Sequence, residues 1–212
     1  MKAIKFLTVA LVALFSVNAF AGLTKDTQGW TRLQLSFNAQ TFKQTEPVEV
    51  EIAKTHGAAL GFMKGINIPR RIPLFLDLGA NLTWNHTSEN VGDGDLKYTF
   101  MNIGIPVNAA YKLSFSSSPI NIVPFFGPNL KFNFMGVKKY VPNSGSKVKT
   151  NYLKEEEGDA KIFLFGLNLG VGVNIDKFYV GYTFQPDLSP YMKNGGYKAK
   201  TINNYVTVGI NF

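Results

Sequence analysis

Phe163-Leu164-Phe165-Gly166-Leu167-Asn168-Leu169-Gly170-Val171-Gly172-Val173-Asn174-Ile175 alternates bulky apolar residues with glycine and asparagine along most of its length. Successive side chains leave a strand on opposite sides, so a period of two marks a strand with two different faces. Phe163, Phe165, Leu167, Leu169, Val171, Val173 and Ile175 share one face; Gly166, Asn168, Gly170, Gly172 and Asn174 share the other. That second face carries no charge, whereas a strand face in bulk water is ordinarily rich in Lys and Glu. Small, neutral, hydrogen-bonding groups suit the cramped lumen of a small barrel that side chains fill, with lipid around the apolar face.

Seven further runs repeat the pattern. In 30–42, Leu33, Leu35 and Phe37 oppose Arg32, Gln34, Ser36 and Asn38. A run ending at 63 sets Ala58, Leu60 and Phe62 against Gly57, Ala59 and Gly61, and its phase reaches back through Ile52, Val50 and Val48, which projects this strand beyond a membrane. In 74–85, Leu74, Leu76, Leu78, Leu82 and Trp84 oppose Asp77, Gly79, Asn81 and Thr83. In 97–115, Ile103, Ile105, Val107, Tyr111, Leu113 and Phe115 oppose Asn102, Gly104, Asn108, Lys112 and Ser114. In 120–135, Phe126, Leu130, Phe132 and Phe134 oppose Gly127, Asn129, Lys131 and Asn133. The run 178–185 and the run ending at Phe212 complete the set.

Eight antiparallel strands, with no apolar stretch long enough for a spanning helix past residue 21, leave a closed barrel as the way to satisfy every backbone group in lipid. Connections after the second, fourth and sixth runs are short: 65–73, 116–119 and 176–177. Those after the third, fifth and seventh, 86–96, 136–160 and 186–200, are longer and more polar. An even strand count puts both termini on the side of the short turns, as in bacterial barrels with short periplasmic turns and long external loops. Phe115, Phe178 and Phe212 fall at one rim, and Trp84, Phe134, Phe163 and Phe184 at the other, where a bilayer favours rings. Pro106, Pro124 and Pro128 each remove a ladder donor, so bulges are expected there.

Residues 1–21 read as a cleaved secretory signal: Lys2 and Lys5, an apolar run from Phe6 to Phe15, then Ala19-Phe20-Ala21. Residues 22–212 form the one expected domain. Without cysteine there is no disulfide framework or thiolate metal site, and two histidines offer little to a metal, so no cofactor is expected. The formal charge of +8 becomes +6 once Lys2 and Lys5 leave with the leader. An exported chain has no use for nucleic acid.

The terminal stretch Asn204-Tyr205-Val206-Thr207-Val208-Gly209-Ile210-Asn211-Phe212 resembles the last-strand signal of bacterial outer-membrane proteins, which end in Phe with apolar residues at alternate positions. Ile103-Gly104-Ile105-Pro106-Val107 and Pro124-Phe125-Phe126-Gly127-Pro128 are similar to segments of the outer-membrane β-barrel-domain family of Bacteroidetes, which shares its architecture with OmpA-like and OmpX-like barrels. The resemblance covers 22–212. It implies insertion by the barrel-assembly machinery, reading Tyr205, Val206, Val208, Gly209, Ile210 and Phe212; it implies no single activity. A monomer is expected.

Arg32, Asp77, Lys112 and Lys131 are predicted to face the lumen, where buried charges must pair. A salt-bridged plug is preferred to a selective pore, since eight strands enclose no aqueous channel. Lys138, Lys139, Lys147, Lys149 and Lys193 gather in the external loops and suit phosphates of lipopolysaccharide, although Glu155, Glu156, Glu157 and Asp159 dilute the charge. His86 and Ser88, two apart on one face and followed by Glu89, resemble the His-x-Ser of lipid A deacylase barrels, with a polar strand end as the plainer reading. The expectation is therefore a non-catalytic outer-membrane barrel with a structural or surface-interaction (adhesin-like) role. A lipid A-modifying enzyme, a narrow porin-like channel and a secreted lipocalin-like carrier are the alternatives.

Overall fold

The computed structural model describes residues 23–24, 26–69, 71–115, 118–153, 160–194 and 197–212. The expected leader, its cleavage site and Glu155, Glu156, Glu157 and Asp159 lie outside the described residues. Eight long strands form the wall: β1 (Trp30–Glu46), β2 (Val50–Asn67), β3 (Leu74–Asn90), β4 (Gly94–Tyr111), β5 (Ile120–Pro142), β6 (Phe163–Ile175), β7 (Phe178–Pro186) and β8 (Tyr197–Asn211). Each pairs antiparallel with its sequence neighbours, and β8 returns to β1 through Val206↔Phe37, Val208↔Leu35 and Ile210↔Leu33. Closure leaves the spanning wall without an edge. At the seam the Phe212 N–H donates to the Thr31 carbonyl at 2.9 Å.

The faces settle which side is inside. Leu35 is 55% exposed, Leu60 56% and Val208 54%, whereas Asn38, Asn85, Asn203 and Thr201 are wholly buried. A lipocalin-like carrier would show the reverse. β6 has 13 residues, which at ~3.3 Å per residue and a tilt of ~40° rises about 30 Å, enough to cross a bilayer. Phe163 and Phe212, each 73% exposed, and Phe178 at 64% stand at the rims.

The lumen is filled in three layers. Its floor is apolar: Trp30, Phe75, Ala110, Val123 and Phe125, with the Trp30 and Phe75 rings 4.6 Å apart. The middle is polar. The roof is apolar again: Phe42, Phe100, Leu164 and Tyr191, with Tyr98, Tyr152 and Met192 packed on them. Glycines make room for the large inward groups. A Cβ on Gly172 or Gly181 would run into the Tyr179 ring.

The structure corrects several strand ends. The connection expected at 86–96 is mostly ladder: β3 and β4 stay paired to Asn90↔Asp95 and turn within 91–93, where Gly92 has φ 71°. β5 runs on to Pro142, and Val148–Asn151 folds back on it; Met192–Asn194 pairs with the start of β8. Alternation fades in these extensions because their outer face meets water instead of lipid, so period two loses its contrast. The prolines are corrected too. The register shift of β5 lies at Phe134, between Met101↔Met135 and Asn102↔Asn133. Beside Pro106 and Pro128 pairs are simply missing, with Leu78↔Val107 followed by Asn81↔Gly104, and Pro106↔Asn129 followed by Ala109↔Phe126. A proline deletes a donor without adding a residue, so it needs an unmade pair rather than a bulge.

Candidate functional site

Alternation in β1 and β3 sends Arg32 and Asp77 inward, where they are 3% and 2% exposed. Arg32 Nη2 lies 3.4 Å from Asp77 Oδ2, its Nε donates to Gln34 at 2.9 Å, and its guanidinium sits 3.7 Å over the Tyr179 ring. Trp30 Nε1 donates to the other Asp77 oxygen at 3.0 Å. Higher up, the Lys131 ammonium is 2.8 Å from both oxygens of Asp187, and the Thr201 hydroxyl donates to the same carboxylate. At the floor, Lys112 pairs with Asp26 at 2.5 Å. Arg32, Asp77, Lys112 and Lys131 are all buried, and each lies beside a counter-charge.

Two of those counter-charges, Asp187 and Asp26, fall outside the alternating runs. The available signal was electrostatic: a lone inward Lys131 demands a carboxylate. Between the charged layers runs a network of amides. Asn38 donates to Asn85 at 2.9 Å, Asn85 to Gln40 at 2.9 Å, Asn168 to Asn108 at 3.1 Å and Gln185 to Asn168 at 2.8 Å. The cavity left beside Arg32, Asp77 and Tyr179 measures about 40 Å³, room for a very few waters.

The residues considered for catalysis do not assemble. His86 faces outward with its ring stacked on Trp84, and its Nδ1 is 3.1 Å from the Thr99 hydroxyl. Ser88 pairs with Lys97, while Glu89 pairs with Leu96 and so lies on the opposite face of β3. No carboxylate orients the imidazole among the described residues. His56, the register partner of His86, leans on Phe37 instead. Among the described residues no three His, Cys, Asp or Glu side chains gather as a metal set.

Outside the membrane the wall divides. β2 and β3 last pair at His56↔His86; above it, among the described residues, 50–55 of β2 pair with β1 alone and 87–90 of β3 with β4 alone. Val48, Val50 and Ile52 on the first hairpin are 62%, 52% and 57% exposed. The candidate lysines separate as well. Lys138 turns inward, 6.0 Å from the Tyr98 ring, while Lys139 pairs with Lys149. Lys147 is exposed in the tip, and the side chain of Lys193 lies outside the described residues. In the roof, burial pushes the Tyr152 phenol up to about 12, with Tyr98 adding, and burial raises Tyr191 further.

A closed ring of eight antiparallel strands with an apolar belt, aromatic rims and a plugged polar lumen defines a membrane-spanning barrel of the bacterial outer-membrane type. No family model and no curated protein matches the chain. Among solved structures it is similar to Ail, the attachment invasion locus protein of Yersinia pestis, with 12% identity and a TM-score of 0.43 over 87% of this chain and 99% of that one. It is also similar to Neisserial surface protein A, with 16% identity and 0.41 over 85% and 97%. The N-terminal β-barrel domain of Pseudomonas aeruginosa OprF gives 14% and 0.29 over 84% and 97%. These likenesses concern the fold alone.

Proposed function

We infer that the protein is a non-catalytic surface-interaction barrel of the outer membrane, in which the spanning wall is an anchor and the external strand extensions are the working surface. The observation that carries this reading is the contrast between lumen and mouth. The lumen is closed below by Trp30, Phe75 and Phe125 and above by Phe42, Phe100 and Tyr191. The mouth instead offers strand edges at 50–55 and 87–90 that no other strand covers among the described residues, beside exposed Val48, Val50 and Ile52. Free edges and apolar tips are costly in water and suited to contact with another surface. β8 (Tyr197–Asn211) is the strand proposed to be read in assembly.

The test compares Gram-negative cells displaying the protein with cells displaying the Val48→Ser/Val50→Ser/Ile52→Ser variant. Adhesion and cell–cell aggregation are expected to rise with the protein and to fall back with the variant at equal surface amounts. Ion conductance of the reconstituted protein in a planar bilayer is expected to stay at background. Steady open-channel currents, or adhesion indifferent to the protein, would sink the reading.

A further inference from the structure

Register places three lysines side by side on the outer face of the external sheet. The ladder Trp84↔Met101↔Met135 marks the upper aromatic rim. Two residues higher come His86↔Thr99↔Val137↔Asn151, and two higher again Ser88↔Lys97↔Lys139↔Lys149. Directly opposite residues share a face with Cβ atoms ~5 Å apart, and like charges so placed repel. Among the described residues the row's one ion pair is Lys97–Asp95 at 3.7 Å, with both side chains substantially exposed. Lys139 and Lys149 have no carboxylate beside them among the described residues.

Sequence spacing alone had grouped Lys138 with Lys139. The extra residue at Phe134 shifts the phase of β5, sending Lys138 in towards Tyr98 and bringing Lys139 out beside Lys97. Four residues at ~3.3 Å each set the row about 13 Å along the strand from the rim, or ~10 Å in height after tilt. That is the level of headgroups just outside the hydrocarbon. A cationic row held at headgroup height on a rigid sheet needs an anion that is itself fixed in the membrane plane.

We propose that Lys97, Lys139 and Lys149 form a phosphate-binding row for the phosphorylated saccharide headgroup of an outer-leaflet glycolipid. This rests on the reading of the chain as a surface barrel and supplies its lipid partner. The lipid phosphates offset the mutual repulsion of the lysines and fix the height and rotation of the external sheet at the membrane. Ser88, at the end of the row, adds a hydroxyl on the same face.

The test uses the full chain folded in detergent micelles, with native mass spectrometry reading lipid carried by the protein. Bisphosphorylated lipid A is the probe, and the same lipid stripped of phosphate is the comparison. Wild type is expected to retain the phosphorylated form at least tenfold better. The Lys97→Gln/Lys139→Gln/Lys149→Gln variant is expected to lose that preference. Lys161→Gln/Lys198→Gln/Lys200→Gln, which removes equal charge around a separate cleft of the mouth, is expected to stay within about twofold of wild type. Equal retention by the first variant and wild type overturns the proposal. So does equal loss in the control, which would mean general attraction, or full displacement by millimolar inorganic phosphate, which would mean a site for the free ion. A heat-modifiable gel shift verifies that each variant is folded. Failure here in a folded, non-conducting, adhesive barrel removes the lipid site and leaves the function of the mouth intact.

Discussion

Removing the Asp187 carboxylate should be the most damaging single change in the lumen. Lys131 and Asp187 are 2% and 0% exposed, with the ammonium 2.8 Å from both oxygens. At an effective dielectric of ~20 the gross attraction at that distance is about 6 kcal/mol, much of it offset by desolvation of the two ions. Asp187→Ala removes the attraction and keeps the desolvated ammonium beneath the aromatic roof, so it should cost about 3–5 kcal/mol. Lys131→Met/Asp187→Ala removes the stranded charge as well. Only the Thr201 hydroxyl then lacks its acceptor, worth about 1–3 kcal/mol, so the double variant should be more stable than the single one. Arg32 provides the contrast. It keeps the Tyr179 face and Gln34 when Asp77 changes, and Asp77→Asn still offers Trp30 an acceptor, so a loss of only about 1–2 kcal/mol is expected. Urea unfolding in phospholipid vesicles, followed by the fluorescence of Trp30 and Trp84, measures all of these. Asp187→Ala within about 1 kcal/mol of wild type, or a double variant no better than the single, would refute the account of a buried, mutually dependent pair.

Gly172→Val sets a branched side chain against the Tyr179 ring that supports Arg32, so the same urea assay should show a loss of about 1–3 kcal/mol. Gly104→Ala, whose new Cβ would meet nothing nearer than 3.4 Å, should be far milder. His86→Ala should leave the lipid A mass spectrum of the host unchanged; an acyl chain missing with the native protein and restored by this variant would return catalysis to consideration. The roof should respond to alkali. An unfolded phenol titrates near ~10, while Tyr152 is held at about 12. The folded roof therefore keeps its full stability below pH ~10 and loses it as pH climbs towards about 12. Absorbance at the phenolate band should show a late-titrating group that disappears in Tyr152→Phe; ionisation of all tyrosines together near pH 10 would argue against the packed roof.

The spanning wall was legible because lipid and lumen differ so sharply. Leu35 and Ser36, or Val171 and Gly172, can exchange faces only by moving a polar group into hydrocarbon, so period two fixes their sides. The external ladder was much less legible. The outer face of Thr87 to Asn90 and Asp95 to Tyr98 meets water instead of lipid, and nothing in their composition separates a strand from a loop. The extra residue at Phe134 inverts the parity of everything after it, which is why Lys138 and Lys139 could not be told apart by spacing. Asp187 was invisible for another reason: it meets Lys131 from 56 residues away, through a bend after β7 that no periodicity describes.

The lipid face cannot choose a register. Sliding β1 by two residues along β8 would still leave Leu33, Leu35 and Phe37 in hydrocarbon, because the belt is uniformly apolar. Only contacts inside the ring distinguish the native stagger from its neighbours. Several of them join strands that are not adjacent: β1 to β3 through Arg32–Asp77 and Asn38–Asn85, β4 to β6 through Asn108–Asn168, and β5 to the bend after β7 through Lys131–Asp187. A slip of two residues would break several of these at once and strand buried polar groups, each costing about 1–3 kcal/mol. Water would soften that penalty by offering alternative partners, and the apolar floor and roof leave it little room. The sealed lumen is then the device that fixes the wall, and with the wall fixed, the rows of side chains at the mouth hold their height above the membrane.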